Sequence, residues 1–253
     1  MADQSTPTHP RYLRARCAIG IGQGFTLIEM AIVLLIITLL LSALLVPLGT
    51  QVEQRKIAET QKTLEEIKEA LFGFAVANGR LPCPASAGSG VESPSGGGVC
   101  DPWNGFVPAI TLSISPTDNQ GFAIDGWGQR IRYAVTTTSA SAATTIDGIK
   151  TIGMGTFSPD LHVCASSSGV AASNCGTANS LTASAPAVIY SLGANWATGG
   201  TGSDEAQNLD GDRVFVSHVP SSAPAANGEF DDIVVWLSPN ILFNRMVAAG
   251  KLP

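Results

Sequence analysis

Gly24-Phe25-Thr26-Leu27-Ile28-Glu29-Met30 opens a stretch that stays apolar as far as Leu48, with Glu29 as its only charge. About 20 apolar residues suffice to span a bilayer as a helix, and the run from Phe25 to Leu48 exceeds that. Arg11, Arg14 and Arg16 precede it, whereas Arg55 and Lys56 beyond it are balanced by Glu53 and Glu59. That asymmetry predicts a cytoplasmic N-terminus and an outward-facing remainder. A cleaved secretory signal has a shorter apolar core and a small-residue site after it, and neither feature is here. A plain signal anchor explains the hydrophobicity but not Glu29. A carboxylate inside a membrane segment costs several kcal/mol unless it is paired, so Glu29 reads as functional. The uncut sequence offers it no evident partner. A cut after Gly24 would create one, the new α-amino group of Phe25.

On these residues the chain resembles the type IV prepilins and the pseudopilins of type II secretion. The resemblance implies a leader over 1–24, removed after Gly24 by a prepilin peptidase that then N-methylates Phe25. It further implies that Glu29 pairs with the terminal amine of an adjacent subunit during filament assembly, and that Pro47 loosens the helix. The partners implied are prepilin peptidase, other pilin or pseudopilin subunits, an inner-membrane assembly platform and membrane lipid. The location implied is the bacterial inner membrane, single-pass with a periplasmic head, and then the filament. Gly20-Ile21-Gly22-Gln23-Gly24 is glycine-rich, but no strand precedes it and an apolar span follows, so it is not a dinucleotide loop.

Beyond Gly49 the pattern becomes amphipathic. Ile57, Leu64 and Leu71 recur every seven residues, with Ile67 and Phe74 on the same side and charges elsewhere. Glu65 and Glu69 are a like-charge i,i+4 pair, so this helix depends on packing of its apolar face. Asn78-Gly79 predicts its C-terminal cap, with Pro82 beyond. The expected order is therefore a membrane half over 25–48, an amphipathic half over 49–78 and a periplasmic head over 79–253. Residues 131–135, 146–152, 188–192, 214–219 and 233–237 are short β-branched runs and predict strands. Ser238-Pro239 starts a short C-terminal helix whose apolar face is Ile241, Leu242, Met246 and Ala249, ended by Gly250. The fold class expected is α+β and pilin-like: a long N-terminal helix packed on an antiparallel β-sheet head.

Composition agrees with one head plus a tether. Charged residues make up 13% of the 253, against about 25% in ordinary soluble domains. The net charge is −6, and removing the leader takes three arginines against one aspartate, so the rest is more acidic still. No basic patch lies outside the leader, and nucleic acid is not an expected partner. A DNA-uptake or adhesion role would need Arg130 and Arg132 on an exposed face with Ile131 turned inward, an alternation that a strand allows.

Cys17 lies in the leader, which leaves Cys83, Cys100, Cys164 and Cys175 for the head. An even count in an extracytoplasmic Gly/Ser-rich domain suggests disulfides. Sequence proximity favours Cys83–Cys100, closing a loop over 84–98, and Cys164–Cys175, but three pairings are possible. Zinc is the rival use, with His162 as the only close imidazole.

Two further stretches resemble the major pseudopilin of type II secretion: Asp125-Gly126-Trp127-Gly128-Gln129 with Tyr133, and Ser191-Leu192-Gly193-Ala194-Asn195 with Gly199-Gly200 and Asp232-Ile233-Val234-Val235-Trp236. The tryptophans read as core packing. The second stretch implies a calcium loop. Asp204, Glu205, Asp210, Asp212, Asp231 and Asp232 gather in the acidic third of the chain. The ligand set expected is Asn195, Asp204, Asp210, Asp212 and Asp232, where Asn195 stands in place of the family's Asp and Asp210-Gly211-Asp212 supplies replacements. Calcium takes six to eight oxygens, so such a set is chemically apt. The alternative is a solvated acidic turn. No G-x-S-x-G, H-E-x-x-H or P-loop is present, and His162 and His218 have no motif around them. The chain is therefore not expected to be an enzyme; a signal-anchored periplasmic calcium-binding domain or enzyme is the remaining alternative.

Overall fold

The computed structural model describes residues 24–198, 202–222 and 225–252, leaving aside the side chains of 42–48. The leader with Cys17, the pair Gly199-Gly200 and the side chain of Pro47 lie outside the described residues. In chain order the elements are α1 (Leu27–Asn78), β1 (Asn104–Phe106), α2 (Ala109–Leu112), β2 (Arg132–Val135), α3 (Thr138–Ser141), α4 (Gly148–Ile152), β3 (Leu161–Cys164), β4 (Ser180–Ala185), β5 (Ala187–Ser191), α5 (Ser203–Gln207), β6 (Val214–Val216), β7 (Ile233–Trp236) and α6 (Pro239–Ala248). Two compact units divide the chain, one ending at Gly49 and one beginning at Thr50.

In the first unit every described residue from Gly24 to Leu41 is exposed. A helix that is apolar all round belongs in lipid or among other helices. Among the described residues no helix is long and apolar enough to cross a membrane. The side chains of 42–48, the end of the 25–48 span expected from the sequence, lie outside the described residues.

In the second unit α1 buries a stripe of Thr60, Thr63, Leu64, Ile67, Leu71, Phe72 and Ala75. Ile57 and Phe74, expected on that face, are only half-buried at its margins, and Phe72 takes the central place. Each fully buried Leu, Ile or Phe contributes about 1.5–3 kcal/mol, whereas a like-charge i,i+4 pair costs only about 0.2–0.5. Packing therefore decides the helix. Glu65 is in any case paired with Lys68, and both oxygens of Glu69 accept from Arg245 of α6, at 2.6 and 2.9 Å. Gly79, at φ +69°, ends the helix by donating its N–H to Ala75 O at 2.8 Å.

The stripe packs on an antiparallel sheet of order β1-β2-β5-β7. Ile131, Tyr133, Val135 and Ile189 face α1 in one core with Leu242, Phe243 and Met246 of α6. The opposite face of the sheet, Ala134, Val188, Tyr190 and Val234, is covered by Leu161, Val163, Ala185 and Phe215. Those residues belong to a second sheet, β4-β3-β6, in which β3 and β6 run parallel. The head thus has three layers rather than one sheet on a helix, which is why all five residues of β5 are buried.

Three expectations are corrected. Residues 146–152 form no strand: Gly148–Ile152 is helix, with Thr151 bonded to Asp147 O through both N–H and hydroxyl. Ile146, Ile149 and Ile152 are spaced three apart, a helical period that their β-branched character obscures. On α6, Ile241 and Ala249 are exposed, and Phe243 joins Leu242 and Met246 in the core. Strands β1, β3 and β4 were not foreseen, because none is a β-branched run.

Candidate functional site

At the start of α1 the sequence Thr26-Leu27-Ile28-Glu29 folds as a capping box. The N–H and hydroxyl of Thr26 donate to Glu29 Oε2 at 2.9 and 3.0 Å, and Glu29 N–H donates to Thr26 Oγ1 at 3.2 Å. Thr-x-x-Glu satisfies two otherwise unpaired N–H groups at once. The partner that is not evident for Glu29 in the uncut sequence is Thr26, its neighbour three residues back. The box holds the carboxylate beside the residue that would become the new N-terminus. Phe25 is 79% exposed, so the bond that follows Gly24 is not covered by the described chain.

Residues 23–45 match the prokaryotic N-terminal methylation motif. This is the signal motif of type IV pilins and pseudopilins. It supports a type IV pilin-like or pseudopilin subunit, implies processing by prepilin peptidase and assembly with other pilin subunits, and points to a structural rather than an enzymatic role. It implies a membrane-anchored, filament-forming protein. No curated protein and no solved structure matches the chain.

In the head, two disulfides join Cys83 to Cys100 and Cys164 to Cys175. All four sulfurs are so used, which leaves no thiolate set for zinc. The first bridge closes the loop that follows α1, and a second clamp reinforces that loop. Glu92 receives both guanidinium arms of Arg80 at 2.8 Å, plus the N–H of Cys83 and of Gly96 at 3.2 and 3.1 Å. Both side chains are 6% exposed. Burial pushes the Glu92 carboxyl up, but the hydrogen bonds and charge of Arg80 and the two backbone donors outweigh it and hold the group below its ordinary value.

The turn Asp125–Gly128 docks on α1. Gly126 N–H donates to Thr60 Oγ1 at 2.9 Å, and Trp127 Nε1 donates to Glu53 Oε1 at 3.0 Å. Trp127 is only half-buried, so it serves as a polar strut as well as buried area. Trp196 is 45% exposed and is not core at all. Asp125 anchors the turn by accepting from Trp127 N, Gln129 N and Ser191 Oγ. Arg130 and Arg132 flank a buried Ile131, the alternation expected, but Arg130 is engaged by Asp118 at 2.7 Å and stacked over Phe122.

The structure splits the acidic residues expected to act together. Asp204 accepts from Ser167 N, Asn227 Nδ2 and His218 Nε2, and its carboxyl lies below its ordinary value: burial raises it, and these donors together overcome that. Asp210 and Asp212 build the turn into β6, through Asp212 N to Asp210 Oδ1 at 2.9 Å and Val214 N to Asp212 Oδ1 at 2.7 Å. Neither Asp204 nor this pair joins the other carboxylates. A cluster forms instead from Glu205, Asp231 and Asp232, with an oxygen from each within 4.8 Å of the others. Asn195 touches it, donating Nδ2 to Glu205 Oε1 at 2.9 Å. Asn208 holds Asp232 Oδ2 at 2.7 Å and also pairs with both backbone groups of Val216, closing the outer edge of β6.

Burial, then the neighbouring Glu205 charge, raises Asp231 to about 6. Burial, then the charges of Glu205 and Asp231, raises Asp232 to about 7. Asp231 Oδ1 is buried and has no hydrogen-bond partner. Three converging carboxylates with an orphaned oxygen are a donor set that suits a hard cation. Of the expected ligands, Asp232 and Asn195 are brought together; Glu205 and Asp231 were in the acidic third of the sequence but not in the expected set. Adjacent residues on a helix point about 100° apart, so Asp204 and Glu205 of α5 serve different sites.

Proposed function

We propose that this chain is a non-enzymatic subunit of a type IV filament, a minor pilin or a secretion pseudopilin. The reading rests on the methylation motif at 23–45, which contains the Thr26–Glu29 box and the all-round apolar start of α1. Prepilin peptidase cuts after Gly24 and methylates Phe25. The apolar helix waits in the inner membrane with the head in the periplasm, and an assembly platform then draws the subunit into the filament. There Glu29 exchanges the Thr26 N–H for the Phe25 amine of a neighbour, which adds a full charge to its donors. The test is intact mass and N-terminal sequence of the protein from membranes with and without a prepilin peptidase. A peptidase-dependent start at methylated Phe25 is expected; an uncut chain in both membranes refutes the cut site. Glu29→Gln should still be cut yet fail to enter filaments, and normal incorporation refutes the pairing.

A second property is carried by the orphaned oxygen of Asp231. We propose that Glu205, Asp231 and Asp232 hold calcium, with Asn195 turning its amide oxygen inward. Calcium at about 100 times its Kd adds about 2.7 kcal/mol to stability. Wild type should gain stability from calcium but not from equal magnesium, and Asp231→Asn should abolish the gain. An equal gain in Asp231→Asn removes the cluster from consideration.

A further inference from the structure

β7 is an edge strand: β5 covers one side of it, and among the described residues no strand covers the other. Its hydrogen-bonding phase follows from Leu237 N–H donating to Ala187 O at 3.0 Å. In an antiparallel pair, facing residues alternate between exchanging hydrogen bonds and turning them away. Ala187 faces Leu237, so Ile189 exchanges with Val235 and Ser191 with Ile233, given the pairing register. Val234 and Trp236 therefore direct their N–H and C=O outward, where no partner is recorded among the described residues.

That edge opens on a groove of about 640 Å³ between α1 and the segment 217–220. Its apolar lining comes from Ile57, Val219, Ile233 and Val235, and its acids are Glu53, Glu65, Asp231 and Asp232. Val219 is 80% exposed at the lip. An unpaired strand edge next to an apolar groove is the geometry of strand addition: main-chain bonds supply affinity, and alternate side chains supply specificity. Glu53 and Glu65, which stand outside the carboxylate cluster, select the occupant. Two copies meeting through β7 would bring acid against acid, which opposes self-pairing. The other long strand edge of the head, β4 (Ser180–Ala185), carries no cation to offer.

We propose that this groove receives an extended, basic segment of a different protein chain, which adds to β7 as a further strand. Its backbone bonds Val234 and Trp236, its apolar side chains enter against Ile57 and Val235, and its cations face Glu53 and Glu65 on the α1 wall. The inference needs only an outside polypeptide and stands whether or not the chain is cut at Gly24.

The test uses the full chain in a non-ionic detergent. The probe is a capped Lys-Val-Lys-Val-Lys-Val peptide, with a Glu-Val counterpart and a Lys-Val peptide N-methylated at alternate backbone nitrogens. Saturable binding that protects the Val234 and Trp236 amides from hydrogen exchange is expected, at least tenfold weaker for both control peptides. Val234→Pro removes the outward donor without removing a ladder bond, since proline is tolerated where the N–H side of an edge strand faces solvent; binding should again fall at least tenfold. Equal binding of the Glu-Val peptide, unaltered binding of the N-methylated peptide, or no binding overturns the proposal. So does concentration-dependent protection of those amides in the chain alone, which would make a second copy the occupant. The N-methylated arm is read on the unaltered chain, so a folding defect in Val234→Pro leaves the proposal testable.

Discussion

Replacing Glu92 by Gln probes the clamp that anchors the loop after α1. Each Glu92 oxygen accepts two donors: Oε2 takes Arg80 Nη1 and Cys83 N, and Oε1 takes Arg80 Nη2 and Gly96 N. Whichever way a Gln amide is turned, its NH2 faces two N–H groups and Arg80 keeps an uncompensated charge. Both partners are 6% exposed, so water cannot substitute. Breaking one member of such a buried pair costs about 3–5 kcal/mol. In a domain of this size about 1 kcal/mol moves Tm by 2–4 °C, so Glu92→Gln should lower Tm by about 6–20 °C. Replacing both partners, as Arg80→Met with Glu92→Leu, removes the desolvation cost with the attraction and should restore most of that loss. Thermal and denaturant unfolding of the full chain in detergent measures each term. A loss under about 1 kcal/mol for Glu92→Gln, or a double variant no better than the single, refutes the assignment of this pair as a buried clamp. The pH dependence has a definite sign. A carboxyl held below its ordinary value stabilises the fold above that value and loses its contribution as pH falls through the depressed one. Wild type should therefore lose stability on acidification in a range where Glu92→Gln is flatter.

Gly126→Ala should loosen the docking of its turn on α1, because a Cβ there meets Lys56 O at 2.5 Å and backbone cannot yield. We expect about 1–3 kcal/mol of destabilisation and faster hydrogen exchange at Gly126 N–H; an unchanged exchange rate would count against the contact. Thr26→Val removes the hydroxyl of the capping box but leaves the amide, so it should lower helix stability at 25–30 by about 1 kcal/mol, read by amide exchange, without blocking the cut. Cys83→Ser with Cys100→Ser opens a loop of 17 residues and should cost about 3 kcal/mol, checked by unfolding under matched redox conditions. The Cys164–Cys175 pair should be insensitive to that change.

The features legible in the sequence are those made by neighbours. Glu29 meets Thr26 three residues away, Gly79 caps Ala75 four residues away, and Leu64, Ile67 and Leu71 share one helix face by spacing alone. The Thr-x-x-Glu box was itself readable there, since it is a local hydrogen-bond pattern that needs no tertiary partner. The carboxylate cluster was not. Glu205 reaches Asp231 N across 26 residues, and Trp127 reaches Glu53 across 74. Nothing local selects Asp231 over Asp210, because a carboxylate on a turn and a carboxylate in a cluster are the same residue type. The second sheet escaped for a related reason: Ser180–Ala185 is a strand only because β3 pairs with it, and its alternation of Leu181, Ala183 and Ala185 offers one large apolar side chain, which stays exposed. Sequence by itself determined the N-terminal motif, the helix that follows and the α+β class, since these depend on contacts within about one helical turn or on composition. Tertiary structure alone decided which acids converge, which edge of the sheet stays open and what covers its far face, since those depend on where distant segments are brought to pack.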